Sequence, residues 1–254
     1  MKAAPRGRLH AELQPDPARE LTTYFQSGST SQIDYGIPGL QDFISDGWIV
    51  VATDYQGLGT EGVHQYTVNR TNGIDAVAMS PGVPIIGLQQ PGLGTALAGD
   101  GPIPPDGHLF MILCGMAAAF PDTLSLDDVL TPVGKRVFED SWNTAPVHHL
   151  SDILGRAFKH EGAVMAINTE KFPAWGAAFK ASSATLNKPV CPVLVLIDRQ
   201  DPNGPCPVPW QLGYIEAIKA LGGDISSSDY PDDDHFSLPQ SSVGQARAWL
   251  TSKF

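Results

Sequence analysis

Residues 189–201 read PVCPVLVLIDRQD, and the reading of VLVLID at their centre decides the fold. A short run of branched apolar residues that ends in an acid and meets the turn formers DPNGP at 201–205 has the length of a strand, not of a helix. No polar residue alternates along it, so it is the kind of strand that a parallel sheet buries beneath crossover helices. The downstream residues agree. PWQLGYIEAIKALGG at 209–223 is an amphipathic helix stopped by a glycine pair, DISSSDYP at 224–231 is a short polar strand, and SSVGQARAWLTSKF at 241–254 is a closing helix. Strand, loop, helix, strand, loop, helix is the order of a parallel α/β sheet, and no internal repeat competes with it.

Upstream, LQDFISDG at 40–47 predicts a short helix with Gly47 past its end, feeding WIVVATD at 48–54 as another buried parallel strand. AVAMS at 76–80 has strand length but stops at Pro81, and the residues to 107 are thick with Pro and Gly, which ends sheet structure there. From 108 to 187 the pattern turns helical. HLFMILCGMAAAF at 108–120 is one helix, SLDDVLTPVGKRVFED at 125–140 is a second with Ser125 as its N-cap, and HLSDILGRAFK at 149–159 is a third with Ser151 in that role. The chain therefore divides into an irregular segment, 1–40, an α/β core made of 41–80 and 188–254, and a helical insertion, 81–187.

At 254 residues the chain can bury roughly 70 to 75% of its unfolded surface. Its formal net charge of −11, with no basic block to neutralise phosphates, excludes nucleic acid as a partner. The longest apolar run, LFMILCGMAAAF at 109–120, falls short of the roughly 20 residues a membrane-crossing helix needs, so no transmembrane segment is expected. MKAAPRGRLHAELQPDPARE at the start has no apolar core of a secretory signal, which leaves an intracellular chain or one whose signal lies outside this sequence. Three cysteines with no zinc spacing imply no structural metal. Cys191 and Cys206 flank the VLVLID strand and its loop, where they form a clip in an oxidising compartment or stand as two buried thiols.

GLGTEG at 57–62 matches the Gly-x-Gly-x-x-Gly phosphate fingerprint, but two requirements of a dinucleotide site fail. The residues after Gly62, VHQYTVNRTNG, are a poor helix start, and Asp75 sits within the next helical stretch instead of at a strand end. The glycines read instead as a sharp turn at the carboxyl end of a strand, bordering a site without cradling phosphate. No nucleotide or other cofactor is expected.

Two later loops carry chemistry. VLVLID runs into Asp201, and SSSDYP runs into DDDHFSLP with His235, so that an acid and an imidazole follow successive strands in the order an α/β-hydrolase triad uses for its last two members. Such a triad needs an acid to fix the imidazole tautomer and a histidine free to take and return a proton. The plainer readings are a turn at Asp201 before Pro202, and a surface histidine beside a solvated acidic run, Asp232, Asp233 and Asp234.

GWIVVATDYQGLGTEGVHQY, LTPVGKRVF, PVLVLIDRQDPNGPCPVPW and YPDDDHFSLP together resemble the secretory lipase family of serine esterases, α/β hydrolases with a helical lid that include fungal and actinobacterial lipases. The resemblance covers roughly residues 40–254. It implies an α/β-hydrolase-like, mostly parallel sheet with the 81–187 helices as an inserted lid. It also implies Asp201 and His235 as triad members and Asp54, Tyr55 and Gly57 beside the pocket.

The family's nucleophile stands in a Gly-x-Ser-x-Gly elbow, which lifts the hydroxyl out and aims backbone N–H groups at the oxyanion. This sequence has none. NRTNGIDAV reads as the start of the helix before the elbow and AVAMSPGV as the strand after it, so the sheet is expected to be incomplete between them. Ser80 is the nearest substitute. It keeps the final glycine, Gly82, but has Ala78 in place of the first, and Pro81 offers no N–H. Two functions are open to such a chain: a carboxylic-ester hydrolase acting on a small-molecule or lipid ester, or a catalytically inactive relative that binds an apolar ligand.

Overall fold

A computed structural model of the chain describes residues 38–50, 65, 68, 97–100, 103–141, 145, 147–200 and 207–253. Among them are eight α-helices and one sheet of two parallel strands, the mixed helix-and-strand composition expected of an α/β chain. Strand β1, Val193–Asp198, and strand β2, Ile225–Tyr230, pair in parallel from Val193↔Ile225 to Asp198↔Tyr230. Helix α6, Val208–Ala220, lies between them in sequence and packs on both. Val208 and Ile215 from its inner face close over Ile197, with Val195 and Ile225 at the margin. The helix ends in a Schellman motif: Gly223 N–H reaches the Ile218 carbonyl and Gly222 N–H the Lys219 carbonyl, both at 2.9 Å, with Gly222 at φ +73°. The glycine pair stops the helix where the sequence places the stop.

The expected two-sided burial of β1 is only partly realised. Ile197 and Asp198 are buried, whereas the four residues before them are half-buried, because α6 is the principal cover the described residues give this sheet. The polar β2 exposes Ser226, Ser227 and Asp229.

The larger core belongs to the helical insertion. Helix α2, Gly107–Ala119, begins at Asp106, whose carboxylate accepts the Leu109 N–H at 2.7 Å. His108 and that N–H hold the Asp106 carboxyl below the usual carboxylate range. Phe110, Leu113 and Met116 of α2 meet Leu150 and Leu154 of helix α4, Val147–Glu161, and Trp175 and Phe179 of helix α5, Pro173–Ala181. Each such side chain contributes about 1.5 to 3 kcal/mol by leaving water.

Two expectations for this region change. SLDDVLTPVGKRVFED is not one helix: Ser125 caps a single 3-10 turn, Leu126–Asp128, and helix α3, Pro132–Ser141, starts anew at the proline. Pro132 lacks the N–H that a continuous helix would use and suits a first helical position, and the Thr131 hydroxyl accepts the Gly134 N–H at 3.2 Å. Ser151 does not start α4 but lies within it, and its hydroxyl accepts the Gly107 N–H at 3.1 Å. It caps a neighbouring helix instead of its own.

Helix α1, Leu40–Ser45, ends as the sequence predicts, with Gly47 at φ +87°. Residues 48–50 carry no strand, and the rest of the expected WIVVATD strand lies outside the described residues, as does AVAMS. The last two helices are α7, Leu238–Ser241, and α8, Val243–Thr251. Arg247 of α8 pairs with Asp46 at 2.6 Å and Asp42 at 3.6 Å, which joins the two ends of the described chain. No helix among the described residues is long and apolar enough to cross a membrane.

Gly134 brings α3 against the backbone at Val164: a Cβ there would lie 2.2 Å from the Val164 carbonyl oxygen. Gly134→Ala is therefore expected to destabilise the fold by about 1 to 3 kcal/mol, read as a lower urea midpoint at unchanged slope. An unchanged midpoint would contradict the contact.

Candidate functional site at the carboxyl ends of the parallel strands

Parallel sheets place their sites where the strands end, and β1 and β2 end at the same level because Asp198 pairs with Tyr230. Asp198 is 3% exposed. A carboxylate buried to that degree needs a donor, and the Gln211 side-chain amide in the first turns of α6 supplies one at 2.8 Å. This bond ties the end of β1 to the start of the next helix.

Beyond Asp198 the chain is stitched to the loop leaving β2. Arg199 N–H donates to the Tyr230 carbonyl at 3.2 Å and to the Asp233 carbonyl at 3.1 Å, and Gln200 N–H donates to the same Asp233 oxygen at 3.0 Å. The Gln200 side-chain amide donates to the Pro231 carbonyl. The Arg199 guanidinium grips one oxygen of Asp229, through Nη2 at 2.6 Å and Nε at 3.1 Å.

The turn that carries His235 has its own frame. Asp234 Oδ1 accepts the N–H groups of Phe236 at 2.9 Å and Ser237 at 2.8 Å, while the Ser237 hydroxyl accepts the Asp234 N–H at 3.0 Å. These reciprocal bonds have the pattern of a capping box, spelled Asp-His-Phe-Ser and closed within the turn ahead of α7, with His235 directly after Asp234. The Ser237 and Phe236 N–H groups hold the Asp234 carboxyl below the usual carboxylate range. Asp233 accepts from the Ser241 hydroxyl at 2.7 Å. Of the acidic run, then, Asp233 and Asp234 build the turn, and Asp232 alone is exposed. His235 itself is half-buried and meets Phe236 edge-on, ring centroids 5.4 Å apart, with Phe236 59% exposed.

Of the residues singled out in the sequence, His235 stands in this site and Cys191 stands half-buried before β1, a free thiol among the described residues. Asp201, Ser80, Asp54, Tyr55, Gly57 and Cys206 lie outside the described residues. The sequence reading missed Asp198, Gln200, Gln211 and the capping role of Asp234. Half of a signal for the last was present, since Asp is a residue whose side chain favours bonds to N–H groups two and three residues on. For Gln200 there was none, because its partners are backbone carbonyls.

No family model matches the chain, and no curated protein or solved structure matches it.

Because the Asp234 carboxyl titrates lower in the folded chain than when unfolded, its charge stabilises the fold fully above about pH 4 to 5. That contribution is lost as pH falls through the folded value. Urea titrations of the wild type and Asp234→Asn from pH 7 to pH 2 should therefore diverge at neutral pH and converge in acid. A gap that stays constant to pH 2 would remove this assignment.

Proposed function

We propose that the chain is a carboxylic-ester hydrolase of the α/β-hydrolase type, akin to the secretory lipases, cleaving apolar acyl esters through an acyl-enzyme. In this reading the Asp201 carboxylate fixes the tautomer of His235 and stabilises the imidazolium. His235 takes the proton of a serine hydroxyl as that oxygen attacks the ester carbonyl, then hands it to the departing alcohol. Water repeats the exchange and frees the acid. The helices between 107 and 181 serve as the lid over an apolar acyl group.

The observation that carries the reading is the hydrogen bond from Gln200 N–H to the Asp233 carbonyl at 3.0 Å. It sets the residue before Asp201 beside the turn that carries His235, at the carboxyl ends of two parallel strands joined by a helix. Ser80 is the nucleophile candidate closest to the elbow pattern. The lack of Gly-x-Ser-x-Gly favours a second reading, a non-catalytic relative that holds an apolar ligand without turning it over.

A fluorophosphonate probe and a short-chain nitrophenyl ester separate the two. The hydrolase should label and turn over, with kcat reduced roughly 10⁴-fold or more in His235→Ala. Ser80→Ala should abolish labelling, and full activity in that variant would move the nucleophile to another serine. A folded wild-type chain that neither labels nor turns over would sink the hydrolase and leave the binder.

A further inference from the structure

We propose that Gln200 is a positioning residue that couples the loop leaving β1 to the turn carrying His235, a role that rests on the hydrolase reading above. Gln200 is the one described side chain on the β1 loop whose neutral donor reaches the backbone of the β2 loop, at the Pro231 carbonyl. Its own N–H and that of Arg199 meet two residues further on, at the Asp233 carbonyl. The side chain and main chain of Gln200 thus bracket the 231–233 segment immediately ahead of the histidine turn.

Two independent holds then define where His235 stands. The Asp234 and Ser237 box sets the internal shape of the turn. Gln200, together with the Arg199 N–H, sets the distance of that turn from β1. The backbone bonds from Arg199 and Gln200 survive any side-chain change at 200, and the Arg199–Asp229 ion pair lies on the strand side of the turn. The amide of Gln200 is therefore the part of the clasp that substitution can remove cleanly. A proton-transfer group must be placed closely, since a displacement of about 1 Å can cost on the order of 10²-fold in rate.

The test uses the full chain with Gln200→Met, similar in size and without a donor, and Gln200→Lys, which restores a donor. In Gln200→Met, kcat for a nitrophenyl ester should fall about 10- to 100-fold, with KM and the thermal midpoint unchanged. Fluorophosphonate labelling should slow in step, and backbone hydrogen exchange over 231–237 should quicken. Gln200→Lys should recover both turnover and protection. An active wild type with an equally active Gln200→Met overturns the positioning role alone. So does a loss that tracks the thermal midpoint and is not recovered by lysine. A wild-type chain that neither reacts with the probe nor turns over ester overturns the hydrolase reading and the positioning role together.

Discussion

Six register pairs, from Val193↔Ile225 to Asp198↔Tyr230, run β1 and β2 out at the same level, and the bonds that join the two loops of the candidate site hang on that shared end. Two parallel strands that stop together must release their loops side by side. The loop carbonyls and N–H groups left without ladder partners there can then bond across, as Asp233 does to Arg199 and Gln200. A shift of the pairing by one residue would turn every side chain of β2 to the other face, and it would carry the histidine turn away from the end of β1.

The apolar weight of the molecule lies elsewhere. Phe110, Leu113, Met116, Trp175 and Phe179 centre the large cluster in the helical insertion, whereas the sheet rests on Ile197, Val208 and Ile215 with two partly buried neighbours. The site is therefore framed by polar bonds more than by packing. Asp198 to Gln211, Arg199 to Asp229 and the Asp234–Ser237 box are directional, and each fixes a loop that an apolar contact would leave free to slide.

Where local pattern and structure part, a single atom or a distant partner accounts for it. SLDDVLTPVGKRVFED carries helical periodicity throughout, yet the missing N–H of Pro132 divides it into a 3-10 turn and α3. Ser151 has the chemistry of an N-cap and acts as one, but for the start of α2, 44 residues away in the chain. The acidic run before His235 has the composition of a solvated turn, and two of its three carboxylates hold that turn together.

By itself the sequence determined the parallel-strand character of VLVLID, the polar partner strand ISSSDY, the helix between them and its glycine stop. Those rest on periodicity and on backbone chemistry within a few residues of each position. It also placed His235 on the loop after β2. Only the tertiary structure decided which groups hold that loop, because the bonds that do so reach from Gln200 and Arg199 to carbonyls some 30 residues further on. Every residue carries such a carbonyl, so nothing in the letters of the sequence marks the few that are used.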